Sequence, residues 1–486
     1  MNKVGATRGT VRGPELRTDR HLWGRARHKT NEVAAVSRTK QNRPPGVSAS
    51  VVLDAIRDAG TISRVGLTQA TGLTGATVST VVRKLLDDEL VVEIGRAEST
   101  GGKPRVLLEL NQSARFAIGA HLDHSGITYA VTNLAGAPVA RLSRPGPGDA
   151  DPAVVLSRMA REIDLLITGI GVDRSKVLGL GLASPGPHTS ANAMNRTPPF
   201  MRPWLDYPLV AELESLIDLP VLLENDATAS AIGEYWSGGT DSERTFASLY
   251  MGTGVGAGIV LDGNAYRGSS GNAGEVGHMS LDLSGPLCWC GTRGCVEVLA
   301  GPAAVVAAAR EDPEVRRAAG LDSLRAGTSI ASEFAAVARA SRSGVAGARE
   351  ILERSARYIS LAAHAISNLL DVRMLVLTGS AFAAASHIYV PVVRDLLETA
   401  SFARASGPVD VRLSRAADTA GAIGGAALVL QSELVPQRRA TAAADGAAAA
   451  PLTSELSSLA QTSDPQPAGH YAPRSVPLSP PRSATP

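Results

Sequence analysis

LYMGTGVGAGIVLDGNAYRGSSGNAGEVGH, residues 249–278, runs at His278 into HMSLDLSGPLCWCGTRGCVE, residues 278–297, and the reading of the chain grows out of these two stretches. The first is an apolar run, a glycine-rich turn and a second apolar run, the pattern of strands that end in tight turns. The second holds all three cysteines of the chain beside a histidine and a glutamate. Its spacing, H-x9-C-x-C-x4-C, offers four soft or borderline ligands, which is the complement of a closed tetrahedral zinc site with no open catalytic position. His278, Cys288, Cys290 and Cys295 are therefore the expected ligands of a structural Zn2+. Buried or redox thiols are the alternative, and the G-T-R-G turn between Cys290 and Cys295, suited to closing a loop round a metal, favours zinc. Folding of this loop should then depend on metal.

Working outward, FAIGAHL (116–122), KVLGLGLASPGP (176–187), LPVLLENDA (219–227), FASLYMGTGVGAGIVL (246–261) and MLVLTGS (374–380) are further apolar runs closed by glycine turns. Alanine-rich helical stretches such as AAVVAAA (303–309) and YISLAAHAISNLL (358–370) lie among them, so the fold class is layered α/β. Ligands in such folds collect at strand ends. The ends here carry Gly186, Asn225, Asp226 and the turn Gly252, Thr253, Gly254. Glu275, His278 and Glu297 lie close by in sequence to the zinc loop. A hydroxyl-rich ligand needs acceptors and amides held at several angles, and a carboxylate can take a proton from a sugar hydroxyl. Singly these residues also read as turns and caps; together with a rigid loop they read as one pocket. The turn at 252–254 fits either a phosphate cradle or a plain hairpin bend.

Nearer the N-terminus the pattern changes to short amphipathic helices. VVLDAIRDAG (51–60) reads as one helix and TISRVGLTQATGL (61–73) as a second, with Leu67 and Ala70 facing inward. TGATVSTVVRKLLDDELV (74–91) reads as a third, capped by Thr74, with Val78, Val81, Val82 and Leu85 turned to the core. This is a helix-turn-helix, the device that holds a recognition helix in the DNA major groove. Thr74, Thr77, Ser79, Thr80 and Arg83 lie on the expected DNA face. LVVEIGRAESTGGKPRVLLEL (90–110) reads as two strands joined by a loop bearing Arg96, Lys103 and Arg105, a basic wing able to meet phosphates. A structural or protein-binding bundle is the alternative, and the wing argues against it.

Flanking segments are expected to be disordered. Residues 1–45 carry eleven Lys or Arg against three acidic residues and read as a basic arm or an unstructured extension. The stretch 432–486 is rich in Ala, Pro and Ser and reads as a tail. The formal net charge of +2 points to no partner class. No apolar run reaches membrane-spanning length, no secretion signal is evident, and free cysteines suit a cytoplasmic location.

GLGLASPGP (179–187), LPVLLENDATASA (219–231), residues 249–278, CWCGTRGCVE (288–297), VLTGSAFAA (376–384) and GAIGGAALVL (421–430), taken in order, resemble the ROK family of repressors, open reading frames and sugar kinases. The likeness covers residues 113–431. It implies a two-lobed actin-like, ribonuclease-H-like fold after a winged helix-turn-helix at 46–110, as in the family's xylose- and N-acetylglucosamine-responsive repressors. By resemblance His278 and the three cysteines are zinc ligands. Gly186, Asn225, Asp226, Glu275, His278 and Glu297 match sugar-contacting positions, and Asp226 matches the kinase base.

One departure from the family decides the function expected. Its first phosphate motif, Asp-x-Gly-Gly-Thr, is replaced by His121, Leu122, Asp123, His124 and Ser125. Side chains then occupy the space where phosphates meet backbone, and Asp123 adds like-charge repulsion. Asp123, His124, Ser125, Gly252, Thr253 and Gly254 are therefore expected to be vestigial phosphate turns, and no catalytic residue is expected. The expectation is a sugar-responsive transcriptional regulator, a repressor of carbohydrate genes. Its partners would be double-stranded operator DNA, a monosaccharide or sugar phosphate, and a second copy in a homodimer, with a tetramer as the alternative. A sugar kinase that kept a DNA-binding head is the enzyme alternative, and a zinc-stabilised interaction module the third.

Overall fold

The structure, a computed structural model, describes residues 45–434 apart from 97–104, 189–193, 195–196, 241–242, 326, 401–406 and 417. The expected arm and tail, save their inner ends, and Lys103 lie outside the described residues.

Local signals account for the first elements. After helix α1 (Pro45–Ala59), Ser63 caps α2 (Arg64–Thr71) by accepting from the Gly66 N–H at 3.2 Å. Thr74 caps α3 (Gly75–Asp87) by accepting from the Thr77 N–H, also at 3.2 Å. Each cap satisfies an N–H that a helix start leaves without a partner. The apolar stripe of α3, Val78, Val82 and Leu85, is buried in one cluster with Val52, Leu53 and Ile56 of α1 and Leu67 of α2, while Val81 is half-buried. Ala70, expected beside Leu67, is exposed; a helix of eight residues sends a single leucine into so small a core. Strand β1 (Ile62–Ser63) pairs antiparallel with β3 (Val106–Leu110), which pairs antiparallel with β2 (Val91–Arg96), so the sheet order is β1-β3-β2. The two-strand expectation missed β1, which is too short to show alternation.

The chain then traces one path twice. Strands β4 (Phe116–Asp123), β5 (Gly126–Asn133) and β6 (Pro138–Pro145) form an antiparallel meander. Helix α4 (Pro152–Gly169) leads to β7 (Val177–Ser184), and α5 (Leu209–Ile217) leads to β8 (Val221–Asn225), both strands parallel to β4. The order is β6-β5-β4-β7-β8. Beyond α6 (Asp226–Trp236), strands β9 (Phe246–Met251), β10 (Val255–Leu261) and β11 (Asn264–Ala265) make a second meander. A helical stretch follows: α7 (Val296–Ala300), α8 (Pro302–Glu311), α9 (Pro313–Ala318), α10 (Ile330–Arg342) and α11 (Ala346–Leu370). Strand β12 (Met374–Thr378), helices α12 (Ser380–Ala384) and α13 (Ser386–Ala400), and strand β13 (Asp410–Leu413) complete a sheet of order β11-β10-β9-β12-β13. The two orders correspond strand for strand, so the β4–β5 and β9–β10 turns are equivalent points of two lobes.

Buried strands explain the lack of alternation in the sequence: β4 is covered on both faces and reads as one apolar run. Its outer side packs with α4 and α5, while the second lobe has its own core of β9, β12 and helices α8, α10, α11 and α13. Helix α14 (Ala420–Leu434) packs on β4, β5 and β7, α6 packs on β9 and β10, and the two helices pack on each other. They thus stand between the sheets, and small residues let them approach: a Cβ at Gly233 would overlap the Ala420 carbonyl, and one at Gly424 the Ala229 carbonyl.

Candidate ligand cleft and metal centre

Asn225 ends β8 and caps α6, its side-chain oxygen accepting from the Thr228 N–H at 3.1 Å. Asp226 follows as the first helical residue and accepts from the Ala227 N–H at 2.8 Å. Strand end and helix start therefore hold an amide and a carboxylate at the mouth of a cleft. All six positions expected for a polyhydroxy ligand, Gly186, Asn225, Asp226, Glu275, His278 and Glu297, line it. The cleft encloses a cavity of ≈50 Å³. A pyranose therefore needs the lobes to part or side chains to move.

The carboxylates of this cleft work against one another. Burial raises the Glu275 pKa to about 7, and the charges of Asp226 and Glu297 add to the rise. Glu297, at the start of α7, is gripped from two sides. The Trp289 indole N–H donates to Oε1 at 2.8 Å, and the Val255 N–H at the start of β10 donates to Oε2 at 3.0 Å. Trp289, which the sequence reading passed over, also meets the His278 ring edge-on with centroids 4.8 Å apart. Nothing in its local spacing marks it: Trp289 and Cys290 lie in a turn closed by the Gly291 N–H donating to the Cys288 carbonyl at 3.0 Å. Behind the cleft, Glu224 of β8 pairs with Arg267 at 2.6 Å and so ties one lobe to the other.

His278, Cys288, Cys290 and Cys295 converge as expected, with ligand atoms all within 4.8 Å of one another. Cys288 Sγ stands 3.5 Å from His278 Nδ1, and Cys290 Sγ 3.6 Å from Cys295 Sγ. A tetrahedron with metal–sulfur arms of about 2.3 Å has edges of roughly 3.8 Å, so the donor set fits a zinc-like ion. The loop closes through Gly294 at φ +60°, where a Cβ would also overlap the Asp282 carbonyl.

The two equivalent turns meet. Thr253 Oγ1 donates to the Asp123 carboxylate, 2.7 Å from Oδ1 and 2.8 Å from Oδ2, and lies 3.1 Å from Ser125 Oγ. Burial raises the Asp123 pKa, opposed by His121 and by the Thr253 hydrogen bond. Two residues earlier on β4, His121 lies 3.9 Å from Asp226 and 3.3 Å from the Tyr250 hydroxyl. Burial alone would lower the His121 pKa, but Asp226, with Asp123 behind it, outweighs burial and raises it. Gly252 is close-packed beneath the Tyr250 hydroxyl and Gly254 against Glu297. His124, half-buried, completes the first turn.

The DNA-facing expectations fall apart from this cleft. On α3, Thr74, Ser79, Thr80 and Arg83 are exposed, whereas Thr77 is half-buried and bonded to Thr74. Arg96 and Arg105 are exposed on β2 and beside β3. Among the described residues no helix is long and apolar enough to cross a membrane.

Comparison with known proteins agrees with this architecture. The xylose repressor of Bacillus subtilis (strain 168) is 32% identical over 260 residues, 54% of this chain and 67% of that protein. A glucokinase of Halalkalibacterium halodurans is 29% identical over 329 residues, 66% of this chain and 97% of that protein. The chain spans about two thirds of the length of the curated xylose repressors it matches. A crystal structure of a ROK family transcriptional regulator, a homologue of the Escherichia coli MLC protein, superposes with a TM-score of 0.65 at 24% identity. It covers 82% of this chain and 98% of its own, a likeness of fold. The ROK family model matches residues 126–432, and the chain belongs to the ROK family.

Proposed function

We propose that this protein is a sugar-responsive transcriptional repressor. Residues 46–110 would be a winged helix-turn-helix that reads operator DNA, and residues 113–431 the sugar-binding and oligomerising domain. The observation that carries the reading is the Thr253–Asp123 hydrogen bond. In a kinase of this topology the two turns must stand apart with nucleotide phosphates between them; here they close on each other through side chains. What remains is a polar cleft joined to a helix-turn-helix head, in a chain similar to a xylose repressor.

In this reading Asn225, Asp226, Glu275 and Glu297 accept or donate to sugar hydroxyls, Gly186 offers backbone, and His278 faces the ligand from the metal loop. Zinc, held by His278, Cys288, Cys290 and Cys295, supplies rigidity through four filled positions and takes no part in chemistry. Trp289 would pass that rigidity to Glu297. On DNA, Ser79, Thr80 and Arg83 of α3 would meet base edges, with Thr74 near the backbone and Arg96, Lys103 and Arg105 along it. A homodimer in the cytoplasm, or a tetramer, would match two operator half-sites. The test is operator affinity with and without a panel of pentoses, hexoses and their phosphates. Affinity that changes with one of them supports the reading; binding of a sugar that leaves operator affinity unchanged refutes it.

A second reading, a sugar kinase with a DNA-binding head, is favoured by Asp226, which stands in the cleft where a base would act. It requires sugar- and Mg2+-dependent ADP release that is abolished by Asp226→Asn.

A further inference from the structure

Helix α6 begins at the cleft and ends at the head. Its first residues are Asp226 and the capping Asn225, and its last, Trp236, is 8% exposed. At about 1.5 Å per residue the helix spans about 16 Å. Every residue from Ala227 to Trp236 is buried except the half-buried Tyr235. The close packing of Gly233 and Gly424 against facing carbonyls couples α6 to α14, so neither helix can bend alone.

The head is fastened to the end of this rod. The Arg57 guanidinium of α1 lies 4.0 Å above the Trp236 ring. It is held there by Asp54 and Asp58, each at 3.0 Å. Leu53 and Leu110 of the head line the same seam as Trp236, and α1 also packs on α14. Arg244 reaches back to Asp58 at 3.6 Å and donates to the Tyr235 hydroxyl at 2.9 Å. The Trp236 indole N–H has no hydrogen-bond partner among the described residues, so the ring is held by packing and by the Arg57 guanidinium over its face. It also borders a cavity of ≈290 Å³ shared with Arg141 and Arg415, which leaves the ring room to shift.

We propose that α6 transmits cleft occupancy to the DNA-binding head, with Trp236 and Arg57 as the positioning residues of that response. Ligand hydroxyls compete for the side-chain oxygens of Asn225 and Asp226 that cap the first turn. The helix end they draw on moves as a rod, and the ring at the far end carries Arg57 and α1 with it. The head is thereby reoriented without any direct contact with the ligand. This inference rests on the sugar-responsive reading.

Hydrogen–deuterium exchange of the full chain tests it, with D-xylose, D-glucose and N-acetyl-D-glucosamine as probes. An active probe is expected to slow exchange at residues 225–230 and to change exchange in α1 by about fivefold or more, the low end of an allosteric coupling. In Trp236→Leu, and in Arg57→Lys, which keeps the charge but loses the flat face over the ring, protection at 225–230 should persist and the α1 response vanish. The exposed Arg244→Ala serves if either variant melts early, and should reduce the α1 response. Protection of the cleft with α1 unchanged in the wild type, or an undiminished α1 response in the variants, overturns transmission through α6. No protection with any probe overturns instead the sugar-binding reading beneath it.

Discussion

Thr253 and Asp123 lie on equivalent turns of two lobes that repeat one topology, and the hydroxyl of the first donates to the carboxylate of the second at 2.7 Å. The bond fastens one lobe to the other. Thr253→Val, which keeps the shape and removes the donor, should destabilise the protein by about 1–3 kcal/mol, because a buried carboxylate loses its partner. Adding Asp123→Ala should recover most of that loss in urea unfolding, since the stranded acceptor goes with it. Additive losses in the double variant would show that the pair does not interact.

Glu275 sets a pH dependence. Its carboxyl ionises near pH 7 in the folded chain against an ordinary 4.5. The uncharged group thus favours the fold, a contribution complete below about pH 4.5 and lost as pH rises through about 7. Ligand hydroxyls that donate to Glu275 favour its ionised form, so sugar affinity should climb between pH 6 and 8, by up to about tenfold per unit below the pKa. Calorimetric titration should show that slope in the wild type and lose it in Glu275→Gln. A flat wild-type profile would remove Glu275 from the ligand's contacts.

The metal loop should act through Trp289. Dialysis against a strong chelator, or Cys290→Ser, is expected to release bound zinc and lower the melting temperature, as read by metal analysis and calorimetry. Trp289→Phe should keep the zinc and lose the hydrogen bond to Glu297, weakening sugar binding by about 10- to 100-fold, the worth of a hydrogen bond to a charged group. Unchanged sugar affinity in Trp289→Phe would confine the loop to a purely structural role.

What the sequence made legible was local. The zinc ligands are fixed by spacing along sixteen intervening positions at most, and the strand ends that carry Asn225 and Thr253 announce themselves by glycine and cap chemistry. The cap at Thr74 was equally plain, because its partner is three residues away. Ala70 was misplaced because helical periodicity gives a face but not how far a small core reaches. Trp289, Tyr250 and the stacking of Arg57 on Trp236 were invisible for a different reason. Each gains its meaning from a partner in another element, and a lone tryptophan or arginine carries no periodic or spacing signal.

On the head, Arg83 is exposed one turn beyond Ser79 and Thr80. If it reads a base edge, Arg83→Ala should cost about 1–3 kcal/mol on operator DNA and little on scrambled DNA, which narrows the selectivity. If it meets phosphate, both should weaken alike and the salt slope fall by about one. An electrophoretic or fluorescence titration at several salt concentrations distinguishes these, and no effect on either DNA would place α3 outside the interface.

The most direct test of the account is a titration of the full chain against DNA from its own upstream region at fixed near-physiological salt, with scrambled DNA alongside and with each sugar of the panel present or absent. The account predicts binding at least about a thousandfold tighter to the cognate DNA, and a change of about fivefold or more on adding the cognate sugar. Selective binding that no sugar alters, accompanied by sugar-dependent ADP release, would contradict it and make the chain a kinase with a DNA-binding head.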